Sequence, residues 1–149
     1  PGRINIIGEH TDYNNGYVLP TAIDKKIRFM LKKNGNGSIC SVYSKNCDNR
    51  FSFDLNKVEK SKHQWENYIL GVIHEIQQLS DKLDGFDCVL DSDIPVGSGI
   101  SSSAALECGL AFGLNELFSL KLSKLTIVEL SQRAEHRHGD RYLRLGAAY

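Results

Sequence analysis

Three polar side chains crowd the end of a short apolar run near the start of the chain. In Pro1-Gly2-Arg3-Ile4-Asn5-Ile6-Ile7-Gly8-Glu9-His10-Thr11-Asp12-Tyr13-Asn14-Asn15-Gly16 the stretch Ile4 to Ile7 ends at a glycine, and Glu9, His10 and Asp12 follow within four positions. In a core each of these groups would need a buried partner. At the end of a strand they can converge on a ligand rich in hydroxyls. A second segment, Pro95-Val96-Gly97-Ser98-Gly99-Ile100-Ser101-Ser102-Ser103-Ala104-Ala105, joins two glycines to three consecutive serines at the start of an apolar run. A glycine-rich turn that opens a helix presents free N–H groups, and the helix dipole favours negative charge there. Ser101, Ser102 and Ser103 add hydroxyls that can bond phosphate or hold a metal ion. The loop is not a Walker A sequence, because it contains no lysine, so Mg²⁺ and residues elsewhere must offset the charge. Together the two segments point to phosphoryl transfer onto a small hydroxylated substrate. Each also has a plainer reading. Glu9, His10 and Asp12 would suit a solvated turn, and the loop alone equally suits a turn whose serines cap a buried helix.

Those segments need a scaffold, and hydrophobic periodicity supplies one. Arg3 to Gly8 reads as a strand, followed by a polar loop with turn chemistry at Asn14-Asn15-Gly16. Lys25 to Lys33 alternates, with Ile27, Phe29 and Leu31 on one face and Arg28, Met30 and Lys32 on the other. Lys25, Lys26, Arg28, Lys32 and Lys33 form a solvated strand face. Asn34-Gly35-Asn36-Gly37 predicts a tight hairpin turn, with Ser38 to Ser44 as the returning partner strand. Phe51, Phe53 and Leu55 alternate in a further strand. Trp65, Tyr68, Ile69, Val72, Ile73, Ile76 and Leu79 recur at helical spacing. Gly85 to Leu90 is a strand with Phe86, Cys88 and Leu90 on one side. A buried helix runs from Ser101 to about Phe118, and Ser123 is placed to cap a last helix that reaches Glu135. The expected class is α+β: a mixed β-sheet with helices packed on one face.

Composition narrows the function. The 149 residues carry 18 basic and 18 acidic side chains, so the basic footprint of a nucleic-acid binder is missing. No apolar run is long enough to span a membrane. Cys40, Cys47, Cys88 and Cys108 show neither C-x-x-C pairing nor metal-ligand spacing, and read as reduced thiols of a cytoplasmic protein. The chain opens on proline, so further residues are expected upstream.

Pro1-Gly2-Arg3 with Gly8-Glu9-His10-Thr11-Asp12-Tyr13 resembles the galactokinase signature. Pro95 to Ala104 resembles the ATP motif of the wider GHMP kinases, which include homoserine, mevalonate and phosphomevalonate kinases. The resemblance covers roughly residues 1–136, with the sugar motif in 1–16 and the phosphate loop in 95–105, and implies an N-terminal lobe of that fold with an unusual left-handed crossover. It implies a Mg²⁺-dependent transfer from ATP to α-D-galactose, giving galactose 1-phosphate and ADP. By the same resemblance Arg3 stabilises charge at the transferred phosphoryl group, and Glu9, His10, Thr11 and Asp12 hold the sugar. Gly97, Ser98, Gly99, Ile100, Ser101, Ser102 and Ser103 cradle the triphosphate. Ser103 and Glu135 hold Mg²⁺, whose hard character suits such oxygen ligands, and Ser44 falls near the nucleotide base. Without the resemblance, Glu135 would read as a solvated helix acid.

The likeness breaks after Ala134-Glu135-His136. Galactokinases continue to Cys-Gly-Ile-Met-Asp-Gln, whose aspartate is the family's catalytic base. Here the chain reads Arg137-His138-Gly139-Asp140-Arg141-Tyr142-Leu143-Arg144-Leu145-Gly146-Ala147-Ala148-Tyr149. Asp140 lacks the motif context and is not assigned as the base. Residues 137–149 read as an unmatched tail, with the composition of out-of-frame translation, and a second lobe is missing. The chain is therefore expected to be inactive alone, with apolar surface left uncovered. Two rival readings stay open: a kinase of a related sugar such as N-acetylgalactosamine, and a non-catalytic sensor of galactose and ATP.

Overall fold

The computed structural model describes residues 1–8, 16–95 and 98–138, with side chains described as far as His136. Nine elements follow in order: β1 Arg3–Ile7, β2 Leu19–Ala22, β3 Ile27–Lys33, β4 Ile39–Ser44, β5 Asn49–Asp54, α1 Gln64–Gln77, β6 Phe86–Ser92, α2 Ser102–Phe118 and α3 Lys124–His138. β1 and β2 pair antiparallel as a separate ribbon, and the other strands form a four-stranded sheet in the order β3-β6-β4-β5. β6 is antiparallel to β3 and parallel to β4, so the sheet is mixed as expected.

Strand alternation divides the sheet into an apolar face and a charged face. Cys40 and Val42 of β4 and Phe86, Cys88 and Leu90 of β6 are buried in the core, with Ile27, Phe29 and Leu31 of β3 packed against it. The outward positions carry ion pairs, Lys32 with Asp87 at 3.2 Å and Arg28 with Asp93 at 2.8 Å. The helices bring Ile69, Val72, Ile73, Ile76, Leu110 and Leu114 to the apolar side. Packing on one face follows, because only that face offers apolar area to remove from water. α1 and α3 are also joined across their contact by Arg133, whose Nε donates to buried Glu75 at 2.8 Å. Ser123 caps α3 as its sequence position implies, its Oγ accepting the Thr126 amide at 3.1 Å.

Two expectations need correction. The turn at Asn34-Gly35-Asn36-Gly37 does not make hairpin partners of β3 and β4, since β6 lies between them. The turn is instead splayed around the entry to β6. Asn34 N–H donates to the Gly85 carbonyl at 3.1 Å, the Gly85 amide donates back to the Gly37 carbonyl, and Asn34 Nδ2 reaches Asp87 at 3.1 Å. The strand β2, with Pro20 inside it, was not read from the sequence at all. The first long helix also ends at Gln77, leaving Leu79 beyond it and 46% exposed. Among the described residues no helix is long and apolar enough to cross a membrane.

Candidate functional site

The phosphate-like loop and the start of the chain are tied together by main-chain hydrogen bonds. The Arg3 amide donates to the Ile100 carbonyl at 3.1 Å, and the Gly2 amide donates to the Lys25 carbonyl at 2.7 Å. β1 is thus anchored at its first residue to the turn that opens α2. This contact, ninety-odd positions apart in the chain, brings Arg3 to the N-terminal end of α2.

The loop itself is built from unusual backbone. Gly99 has φ +72°, where a side chain is strained, and Ser101 has φ 62°, a left-handed conformation that non-glycine residues seldom adopt. Ser101 occupies the N-cap position of α2, yet its side chain makes no capping hydrogen bond and the first turn holds no acidic residue. Among the described residues, the N-cap side chain therefore leaves the first amides of α2 open to another partner. The serines do not act as ordinary caps. Ser98 Oγ turns back to the Pro95 carbonyl at 2.7 Å, and the Ser101 carbonyl accepts from Ala105 at 3.0 Å as the helix begins.

Ser103 and Glu135 meet. Ser103 Oγ donates to Glu135 Oε1 at 2.7 Å, linking the first turn of α2 to α3 across thirty-two positions of sequence. Glu135 is only 5% exposed. Burial pushes its carboxyl above the ordinary range, while the Ser103 hydrogen bond and the electrostatic influence of His136 and Arg3 pull it down. Arg3 therefore lies within electrostatic reach of the Ser103–Glu135 pair.

Glu107 is a residue that the sequence reading passed over. It is 1% exposed, and neither carboxylate oxygen has a hydrogen-bond partner. Burial pushes its carboxyl up to about 10, and repulsion from Glu135 adds to the shift. A signal was available, since Glu107 is the one charged residue in the otherwise apolar stretch Ala104 to Phe112. Ser44 lies elsewhere, buried at the end of β4, where its hydroxyl accepts the Cys47 amide at 3.4 Å within the β4–β5 turn. None of its hydrogen bonds among the described residues reaches the α2 loop. The candidate sugar residues Glu9, His10, Thr11 and Asp12, together with Gly97 and Asp140, lie outside the described residues. A hollow of about 420 Å³ lined by Ser38, Leu55, Gln77, Ser80 and Asp84 contains none of the candidate site residues.

Among the described residues no group of three or more His, Cys, Asp or Glu side chains is placed to hold a metal ion. Ser103 and Glu135 nevertheless offer two hard oxygen donors of the kind a divalent cation takes. Mg²⁺ commonly takes one or two protein oxygens and completes its shell with water and phosphate. The chemistry open to this arrangement is binding of a polyanion with its counter-cation.

Comparison with known proteins gives the same direction. Residues 67–142 match the family model of the GHMP kinases N terminal domain, and residues 1–33 match the galactokinase galactose-binding signature. The galactokinase of Thermosipho africanus is 44% identical over 135 residues, which is 91% of this chain and 37% of that protein. The galactokinase of Actinobacillus pleuropneumoniae is 42% identical over 139 residues, 92% of this chain and 36% of that one. The structure of Lactococcus lactis galactokinase complexed with galactose superposes with a TM-score of 0.86 at 37% identity, covering 95% of this chain and 37% of that chain. The mevalonate kinase of Methanococcus jannaschii shares the fold, with a TM-score of 0.76 at 20% identity over 91% of this chain and 44% of that one. The chain thus spans a little over a third of the length of the curated relatives it matches.

Proposed function

The chain belongs to the GHMP kinase family, as a bearer of its N-terminal domain, and on that premise we propose that it is the N-terminal lobe of a galactokinase-type phosphotransferase. The reaction is ATP plus α-D-galactose giving galactose 1-phosphate and ADP. The observation that carries this reading is the 2.7 Å hydrogen bond from Ser103 to Glu135, at an uncapped helix start and within the field of Arg3.

The roles divide by chemistry. The amides and hydroxyls from Gly97 to Ser103 hold the phosphates, where free N–H groups and the α2 dipole both favour negative charge. Ser103 and Glu135 would hold Mg²⁺, which when bound neutralises charge on the phosphate oxygens. Arg3 sets a fixed cation beside the transferred group, in a reaction that depends chiefly on positioning and electrostatics. Glu9, His10, Thr11 and Asp12 bind the sugar, the carboxylates accepting hydrogen bonds from its hydroxyls and so rejecting analogues that lack the matching hydroxyl. By the resemblance alone, Ser44 would fall near the nucleotide base. Deprotonation of the sugar hydroxyl has no assigned residue within this chain, because the Cys-Gly-Ile-Met-Asp-Gln motif is absent from it. Without a base to orient and deprotonate the acceptor, turnover by these 149 residues alone is negligible.

The test uses the purified chain. Calorimetric titration should show saturable binding of galactose and of Mg²⁺ with adenylyl imidodiphosphate, and a coupled assay should show no galactose-dependent ADP release. A folded chain that binds neither ligand refutes the reading. Steady ADP release refutes the claim of inactivity. Stronger binding of N-acetylgalactosamine than of galactose would reassign the sugar. A second reading is a non-catalytic sensor of galactose and ATP. It predicts that adding the galactokinase motif and second lobe restores no turnover.

A further inference from the structure

Glu107 has no part in the roles above, and its surroundings do not explain why an acid is there. Its carboxyl is in the body of α2, 1% exposed, with both oxygens unpartnered. A buried carboxyl without a donor is costly, and an apolar residue of the same size would remove the cost. Its position, however, is not arbitrary. Ser103 lies four positions earlier on the same helix, and residues at that spacing share a face. Glu135 on α3 accepts from Ser103 and is close enough to Glu107 for the two carboxyls to repel. The basic side chains acting on this cluster, Arg3 and His136, bear on Glu135, and no described donor bonds to Glu107. The Ser103–Glu135 pair therefore has behind it a second carboxyl whose two oxygens await a donor or a positive charge.

We propose that Glu107 is a positioning residue of the cation site, accepting a hydrogen bond from a water on the divalent ion held by Ser103 and Glu135. The proposal rests on the reading that this pair holds Mg²⁺ with ATP. A hydrated divalent ion supplies both things the buried carboxyl lacks: O–H donors and positive charge. It also accounts for the acid's place one helical turn beyond Ser103, which a packing role leaves unexplained. Such outer partners commonly change metal affinity by about 10- to 100-fold when removed.

The experiment uses the 149-residue chain with Mn²⁺ and adenylyl imidodiphosphate, and reads binding by water-proton relaxation. Glu107→Leu should weaken binding of the Mn²⁺ complex about tenfold or more and lower the relaxation signal of the bound ion. Glu107→Gln, which keeps an acceptor oxygen, should stay within about threefold of the parent, a rescue in keeping with an outer partner. Urea unfolding of each variant checks the fold, and Glu107→Met takes the place of the leucine variant if that one does not fold. Parent-like Mn²⁺ binding by the apolar variants, alongside loss in Glu135→Gln, overturns the proposal and leaves the Mg²⁺ reading intact. Absence of Mn²⁺ complex binding by the folded parent overturns both.

Discussion

α2 reaches the sheet through glycine, and replacing one of those glycines tests both the packing and its link to the site. A Cβ on Gly109 would sit 2.3 Å from Phe29 Cε2 and 2.7 Å from its Cζ. Carbon atoms prefer separations of roughly 3.5–4.0 Å, so the ring would have to retreat by about 1.2 Å or more. Phe29 is partly buried on β3 and packed against the core. Two terms compete in Gly109→Ala. Alanine in a helix interior is favoured over glycine by about 1 kcal/mol. Overpacking typically costs about 1–3 kcal/mol, and a contact this short belongs at the upper end. The net expectation is a loss of about 1–2 kcal/mol in unfolding free energy. Urea unfolding followed through the single tryptophan, Trp65, which meets the Phe51 ring edge-on at 5.2 Å, reads it directly. In a Phe29→Ala background the clash is gone, so the same substitution should stabilise by about 1 kcal/mol, a coupling of about 2 kcal/mol or more. Stabilisation by Gly109→Ala in both backgrounds would refute the close approach of α2 to β3. Because Ser103 opens the same helix, the single variant should also weaken Mg²⁺-nucleotide binding, and the double variant should recover part of it.

Other outcomes follow from the site and the outer sheet face. Ser103→Ala and Glu135→Gln should each weaken binding of Mg²⁺ with adenylyl imidodiphosphate about tenfold or more by calorimetry, leaving galactose affinity nearly unchanged. Asp12→Asn should do the reverse, lowering galactose affinity by about tenfold or more while nucleotide binding persists. The Arg28 hydrogen bond and charge hold the Asp93 carboxyl below the usual carboxylate range. The native state therefore binds that proton less readily than the unfolded chain. The pair contributes fully above the ordinary carboxylate pKa, and the contribution is lost as pH falls from there through the lowered native pKa. Asp93→Asn should flatten that acid limb of a stability-against-pH curve by a small amount, since both partners are substantially exposed. An unchanged acid limb would refute this.

The elements that were legible owe it to local periodicity. Ile27, Phe29 and Leu31 alternate with charged or flexible neighbours, and the structure puts them inward on β3. The Trp65–Ile76 spacing specifies an amphipathic helix whatever its partners, and Ser123 caps α3 through a bond only three residues long. What failed was non-local. Asn34-Gly35-Asn36-Gly37 carries the chemistry of a turn, but a turn does not say which strands pair. β6 inserts between β3 and β4, with Phe86, Cys88 and Leu90 in the core, a pairing no local turn signal encodes. β2 escaped because a four-residue edge strand containing proline has almost no pattern to read.

The site shows the same division, with a different consequence. Glycines and serines before an apolar run suit an anion loop through local backbone physics, and in the structure that segment holds the left-handed Ser101 and opens α2 without a cap bond from it. Glu135 is different. Nothing within its own helix separates it from a solvated acid, and only the resemblance singled it out before the 2.7 Å bond to Ser103 gave it a place. Glu107 lies between these cases. An acid amid Ala104 to Phe112 breaks the helix's own pattern, and local choices in a well-specified fold normally agree with one another. Such a break is tolerated where it serves a site. The strained Ser101, the open helix start and the unpartnered Glu107 all fall within the first two turns of α2. Helix packing alone accounts for the glycines farther along, at 109 and 113, but for none of these three features. Their concentration at one end of one helix is the reason to look for a ligand there, independently of any relative.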